Sequence, residues 1–214
     1  MTGAAHDWYF DVISPFAYLQ WVRLRRDHPD LRLRPKPLLF GALLQHHGQL
    51  GPAEIPGKRD FTYRFVAWEA RRLYVPLRFP PAHPFHPLAA LRLILAAEDT
   101  MAATDAVFAH IWREGLPVDT LEALAPLAAS LRIADVGAAI AREDVKARLR
   151  ANTEEAIARG VFGVPTLCIG DTLFWGNDAT CMALDYLADP AAFERDAAAV
   201  AALPVGIERR RGAA

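Results

Sequence analysis

Trp8-Tyr9-Phe10-Asp11-Val12-Ile13-Ser14-Pro15-Phe16-Ala17-Tyr18-Leu19 is a strand that runs straight into a helix. From Trp8 to Ile13 every residue but Asp11 is aromatic or branched, the composition of a strand. Ser14 then offers a hydroxyl to cap the helix, and Pro15 sits in the first turn, where a missing N–H costs nothing. Leu19, Val22 and Arg26 continue at helical spacing until His28-Pro29-Asp30 ends the run. Leu31 to Pro37 alternates apolar with basic residues, which predicts a half-buried second strand. The three segments form the βαβ opening of a parallel sheet.

The rest of the chain bounds what this opening belongs to. Its 214 residues suffice for one large domain, or a domain carrying an insertion. Hydrophobic residues make up 53% and charged residues 23%, too apolar for disorder. Lys+Arg 24 against Asp+Glu 25 gives a net charge of -1, with no electrostatic reason to expect nucleic acid or an anionic membrane as partner. Met1 to Asp7 lacks the basic stretch and apolar core of a secretory signal, and the longest apolar runs are too short to span a bilayer. A soluble cytoplasmic protein is the expectation. Cys168 and Cys181 form no Cys-x-x-Cys pair. A bridge between them is open, but two reduced and mostly buried thiols suit the cytosol better.

Beyond Pro37 the pattern turns helical. Phe40 to Leu44 predicts a short helix and Gln45 to Pro52 a loop; Lys58 to Leu73 carries Phe61, Phe65 and Trp68 near helical spacing. Val75 to Pro87 is rich in proline and predicts an extended connector, one that also holds Phe79, His83, Phe85 and His86. Leu88 to Ala97, Met101 to Glu114, Thr120 to Ser130 and Val136 to Ile157 predict helices, with Asp119-Thr120-Leu121-Glu122 a candidate cap. Thr166 to Ile169 and Leu173 to Trp175, split by Gly170-Asp171, predict a hairpin, and Ala179 to Leu187 a final helix. Ala197 to Ala202 is low in complexity, and Arg209-Arg210-Arg211 is too short to imply nucleic-acid binding. Strands therefore sit only at the two ends. The expected organisation is α/β, a discontinuous sheet domain of residues 1–38 and 151–214 interrupted by an all-helical insertion of residues 39–150.

Two places can carry chemistry. Ser14, at a strand end and a helix start, lies among unpaired N–H groups at the positive end of the helix dipole. Such a place stabilises an anion and lowers the pKa of a thiol brought to it, although a plain helix cap explains a serine equally well. Val164-Pro165-Thr166 follows two glycines and precedes a strand. A cis proline there turns the backbone of Val164 outward to pair with an extended peptide; a trans proline opening the strand is the alternative. Ser14 lacks the Gly-x-Ser-x-Gly turn, and no glycine-rich phosphate loop is present. His46-His47 and His83-x-x-His86 have no helical ligand spacing, so ordinary loop histidines are expected and no metal. Lys58-Arg59 is either a carboxylate site or solvated surface charge.

Taken together, Ser14-Pro15-Phe16-Ala17-Tyr18, Gly160-Val161-Phe162-Gly163-Val164-Pro165-Thr166 and Phe174-Trp175-Gly176-Asn177-Asp178 resemble, in this order and separation, the 2-hydroxychromene-2-carboxylate isomerases. These stand with kappa-class glutathione transferases and, more distantly, thiol-disulfide oxidoreductases of the DsbA type. Lys58 with Tyr63, and Phe79-Pro80 to Leu88, also match the middle of that family, so the resemblance spans nearly the whole chain. It implies a thioredoxin-like fold with a large all-helical insertion, glutathione as cofactor, and a homodimer. It also implies roles: Ser14 holds the glutathione thiolate and Val164 beside Pro165 pairs with the cysteinyl backbone. Asn177 and Asp178 take the γ-glutamyl amino end, and Lys58 reaches a carboxylate. The implied reaction is cis–trans isomerisation of a conjugated ketoacid by way of a transient glutathione adduct.

Two departures from the family bear on the substrate. Gln49 stands nearest to where an asparagine often touches glutathione. Pro84-Phe85-His86-Pro87 replaces Pro-Phe-Asn-Pro, which puts His86 beside Phe16 and Phe85 as expected substrate-pocket residues, and as an acid or base. A kappa-like transferase is the alternative activity, and a glutathione- or peptide-binding protein without turnover the non-catalytic one. With no cysteine at 14 or 17, disulfide exchange is disfavoured.

Overall fold

Four strands, β1 (His6–Phe10), β2 (Leu33–Pro37), β3 (Thr166–Ile169) and β4 (Thr172–Trp175), form one sheet in the order β2-β1-β3-β4. The computed structural model describes residues 5–201 together with Leu203, Pro204 and Gly206. β1 pairs with β2 in parallel, but β3 pairs with β1 and β4 antiparallel, so the sheet is mixed. The parallel character read from the first segments holds only for that pair.

Among the described residues ten α-helices accompany the sheet: α1 (Pro15–Asp27), α2 (Phe40–His47), α3 (Pro56–Arg72), α4 (Leu88–Ala96), α5 (Thr100–Phe108), α6 (Leu121–Ser130), α7 (Val136–Ala141), α8 (Glu143–Ala158), α9 (Thr180–Ala188) and α10 (Pro190–Ala201). This is a thioredoxin fold with helices added between β2 and β3. Period-two alternation of β1 sends Trp8 and Phe10 to one face and Tyr9 to the other. Trp8 stacks on Phe10 at 4.5 Å and on Trp21 of α1 at 4.8 Å, while Phe108 of α5 lies 5.4 Å from Phe10. Each such fully buried ring contributes roughly 2–3 kcal/mol of hydrophobic stabilisation. Trp8, Leu91, Trp112 and Phe174 belong to a single core, so the added helices share the sheet's apolar interior.

Several boundaries differ from the expected ones, each for a local reason. β1 ends at Phe10 rather than Ile13, because the Asp11 carboxylate accepts the Ile13 N–H at 3.0 Å and closes a turn. The expected helix from Val136 to Ile157 is two, α7 and α8. Arg142 takes an extended conformation between them, and Glu143 and Asp144 open the second with acidic charge at its positive end. The stretch expected as one helix to Glu114 leaves α5 through a π-helical turn, Ala109–Arg113. Thr120 caps α6 as expected, its hydroxyl accepting from the Ala123 N–H at 3.2 Å. The helix expected last, α9, is followed by α10, whose alanines form a helix instead of a low-complexity tail. Ala202 and Arg209-Arg210-Arg211 lie outside the described residues. Residues 150 and 151 both fall within α8, whose Arg148 bonds the Leu95 carbonyl while Asn152 bonds that of Pro37. Both cysteines are unbridged; Cys168 is buried, but Cys181 is exposed on α9, against the expectation of two mostly buried thiols.

Candidate functional site

Ser14 caps α1 with an extended backbone, and its hydroxyl oxygen accepts the Ala17 N–H at 3.3 Å. Its own carbonyl takes the Ala17 and Tyr18 N–H groups. Among the described residues the Phe16 N–H has no partner, and no acidic residue lies in the first turn to neutralise the helix dipole. The Ser14 hydroxyl hydrogen thus remains available beside a free N–H, on a residue that is 9% exposed.

The opposite wall comes from the segment before β3. Tyr9 faces Thr166 as the last pair of the β1–β3 ladder, so Val164 lies just beyond the same end of the sheet from which β1 leads to Ser14. The Val164-Pro165 peptide is cis, which decides between the two forms the sequence left open. Among the described residues neither the N–H nor the C=O of Val164 takes an intramolecular hydrogen bond. Gly163 makes room: any side chain there would run into the Trp175 indole, which packs edge-on against Phe162 at 5.1 Å.

Beneath Ser14 lies a fully buried carboxylate. Asp11 accepts the N–H groups of Ile13 at 3.0 Å and Phe40 at 2.9 Å, and its carbonyl accepts the Ser14 N–H at 3.1 Å. Burial pushes its carboxyl up to about 7, against the opposing pull of these backbone donors. Trp112, from the π-helical turn, donates its indole N–H to the Val12 carbonyl at 2.8 Å. The loop that carries Ser14 is held from three directions.

The histidine that contacts the Ser14 loop is His83, whereas the expected pocket residue His86 lies in an exposed position. His83 Nε2 lies 2.8 Å from the Ile13 carbonyl oxygen and Nδ1 lies 2.7 Å from the Tyr63 hydroxyl. Its ring packs against Trp112, Tyr63 and Phe85, and burial lowers its pKa. His86 is exposed, and only its backbone N–H is engaged, with Asp119. Of the other expected pocket residues, Phe85 is buried behind His83, whereas Phe16 is half-buried and touches Phe65, itself stacked on Phe61 and Trp68. Proline-rich sequence has no periodicity to distinguish His83 from His86; the only signal was that both lie on a connector read as extended.

Asn177 and Asp178 follow β4 and differ in environment. Asn177 is buried, gives its side-chain N–H to Glu69 Oε1 at 3.1 Å, and has its carboxamide oxygen unpartnered. Glu69 is itself buried and is clamped by Arg72, whose guanidinium depresses its pKa and stacks on Trp68. Asp178 is exposed. Lys58, in the first turn of α3, and Gln49, just past α2, are exposed and carry no side-chain hydrogen bond or ion pair among the described residues. The structure thus ties the Ser14 loop, through His83 and Tyr63, and Asn177, through Glu69, to α3, whose exposed first turn carries Lys58, while Gln49 stands apart just past α2. No group of three histidine, cysteine or acidic residues gathers as a metal site among the described residues. Surface cavities of ≈ 340 and ≈ 470 Å³ lie among α5, α6 and α7, and neither is lined by a residue of the Ser14 loop.

Residues 7–188 match the DsbA-like thioredoxin domain. The chain belongs to that family. Within it, a 2-hydroxychromene-2-carboxylate isomerase of Pseudomonas putida is 32% identical over 184 residues, covering 82% of this chain and 90% of the relative. Glutathione S-transferase kappa 2 of Caenorhabditis elegans is 28% identical over 206 residues, covering 85% and 91%. A solved 2-hydroxychromene-2-carboxylate isomerase superposes with a TM-score of 0.78 at 25% identity, covering 90% of this chain and 98% of that one. The relatives are enzymes, isomerases and transferases, and the DsbA-like family here presents a hydroxyl at Ser14 and a methyl at Ala17, with no thiol at either position. No helix among the described residues is long and apolar enough to cross a membrane.

Proposed function

We propose that the protein is a glutathione-dependent isomerase of the 2-hydroxychromene-2-carboxylate isomerase type, which interconverts the cis and trans forms of a conjugated ketoacid. One observation carries this reading: Ser14, with its hydroxyl and the free Phe16 N–H, stands at the positive end of α1 where a family member of the redox kind would place a thiol. The residues fit the cofactor on their own chemistry. The unpaired N–H and C=O of Val164 suit an extended peptide, and the buried, unpartnered oxygen of Asn177 calls for a donor such as an ammonium group.

Glutathione, if bound, would supply a thiolate nucleophile for the conjugated ketoacid. Ser14 donates its hydroxyl to the sulfur position, and the dipole of α1 holds the negative charge there near neutral pH. Val164 fixes the peptide backbone, Asn177 and the exposed carboxylate of Asp178 take the amino end, and Lys58 and Gln49 close on the carboxylate end. Phe16 and the Phe65 ring beside it offer an apolar face to the electrophile.

A kappa-type transferase, which would leave glutathione on its electrophile, is the second reading, favoured by the similarity that spans 91% of the nematode relative. Calorimetric titration with reduced glutathione across pH tests the cofactor; binding with a proton released near neutral pH is expected. Chromatography of products then separates the two activities: glutathione recovered unchanged supports the isomerase, and a stable conjugate the transferase. The same reading expects a cytoplasmic homodimer, which sedimentation checks for the dimer.

A further inference from the structure

The Ile13-Ser14 peptide unit is held at both of its polar ends. Its N–H, belonging to Ser14, bonds to the Asp11 carbonyl at 3.1 Å, and its C=O, belonging to Ile13, lies 2.8 Å from His83 Nε2. The plane of this peptide fixes the backbone angle of Ser14 and hence the direction of its hydroxyl. We propose that His83 is a positioning residue for Ser14, and that Tyr63 holds it in the one tautomer able to act. The proposal rests on the reading of Ser14 as the group that serves a thiolate.

The tautomer follows from the partners. A carbonyl oxygen only accepts, so Nε2 carries the hydrogen that reaches Ile13. Nδ1 of a neutral ring is then an acceptor, and the Tyr63 hydroxyl at 2.7 Å is its donor. Tyr63 also stands 2.9 Å from the His83 carbonyl, but that oxygen has a second donor in Arg59 at 3.1 Å, which leaves the phenol hydrogen for Nδ1.

The surroundings keep the ring neutral. Trp112 and Phe85 supply apolar walls, and burial together with the nearby Arg59 guanidinium lowers the His83 pKa. The charged or titratable groups facing it are Arg59 and Tyr63 of α3, and among the described residues no carboxylate pairs with the ring to draw a second proton. A protonated ring would turn Nδ1 into a donor and reverse the Tyr63 bond.

The test compares His83→Gln, His83→Phe and Tyr63→Phe. Gln keeps an N–H donor for Ile13, while Phe keeps the ring volume without one. Nitrogen NMR of the ligand-free protein is expected to show His83 protonated at Nε2 alone, with the Ser14 amide resonance moved in His83→Phe and restored in His83→Gln. With glutathione bound, thiolate absorbance at pH 7 is expected to fall about tenfold or more in His83→Phe and to recover in His83→Gln, the dissociation constant changing little, since a small misplacement costs orientation rather than binding. An Nδ1-protonated ring, or a His83→Phe variant with an unmoved Ser14 amide and unchanged thiolate, overturns the proposal. If the unaltered protein binds no glutathione, the reading of the site fails, and the tautomer and the Ser14 amide still decide whether His83 orients that residue.

Discussion

Asn177 donates its side-chain amide to Glu69 at 3.1 Å, which ties the loop after β4 to α3, 108 positions earlier in the chain. Glu69 is in turn fixed by two hydrogen bonds from Arg72. The direction in which the free Asn177 oxygen points is therefore set from the helical side of the molecule. Glu69→Gln, which keeps an oxygen for Asn177, is expected to weaken glutathione binding little, and Glu69→Ala by about tenfold or more, because a buried polar group is left unpaired. Calorimetry on the two variants checks this; equal losses would show that Arg72, not Asn177, is what Glu69 serves.

Ser14 has two roles that one pair of substitutions separates. Ser14→Ala removes both the cap of α1 and the hydroxyl, and is expected to cost about 1 kcal/mol of stability. Turnover is expected to fall about 10²-fold, as when one preorganised donor is lost. Ser14→Thr retains a cap and a hydroxyl and is expected to keep most of both. Urea unfolding and steady-state kinetics on the pair read the two effects independently.

Two buried groups near Ser14 give stability opposite dependences on pH. Asp11 is raised from 3.8 to about 7, so between these values the folded state keeps a proton that the unfolded chain releases. Its contribution is complete below about pH 4 and is lost as pH rises through 7. His83 is lowered from 6.5, so its contribution is present above 6.5 and is lost as pH falls toward its folded value. Unfolding measured from pH 4.5 to 8 is expected to lose the first slope in Asp11→Asn and the second in His83→Gln. Asp11→Asn should also cost roughly 1–3 kcal/mol throughout, since an amide cannot accept from Ile13 and Phe40 together.

Trp112→Phe is expected to destabilise the protein by about 2 kcal/mol, because the Val12 carbonyl loses its donor in a fully buried place. Denaturant unfolding measures this. Stability unchanged within about 0.5 kcal/mol, the range of ordinary surface substitutions, would refute it.

Much of this was legible in the chain because local chemistry and final structure agree. The strand-to-helix junction at Ser14, the hairpin around Gly170-Asp171 and the Val164-Pro165 turn each depend on residues within a few positions of one another. The break at Arg142 was not legible, since alanines on both sides favour helix without interruption. Nor was α10, where repeated alanines read as low complexity although alanine is the strongest helix former. The contacts of His83 with Tyr63 and Ile13, and of Asn177 with Glu69, span 20 to 108 positions and leave no trace in spacing or periodicity. The resemblance to the isomerases supplied the candidate residues, and tertiary packing placed His83, not His86, against the Ser14 loop.

Trp112 has an indole anchored to the Val12 carbonyl and a ring 5.4 Å from the imidazole of His83. An imidazole that gains a proton quenches an indole excited beside it. The protein thus has an optical gauge anchored at Val12, two residues before Ser14: its emission dims as His83, which holds the Ile13 carbonyl, gains charge. Among the described residues Trp8, Trp21, Trp68 and Trp175 pack their rings on phenylalanine or tryptophan, so acid-dependent dimming should be missing from the Trp112→Phe protein.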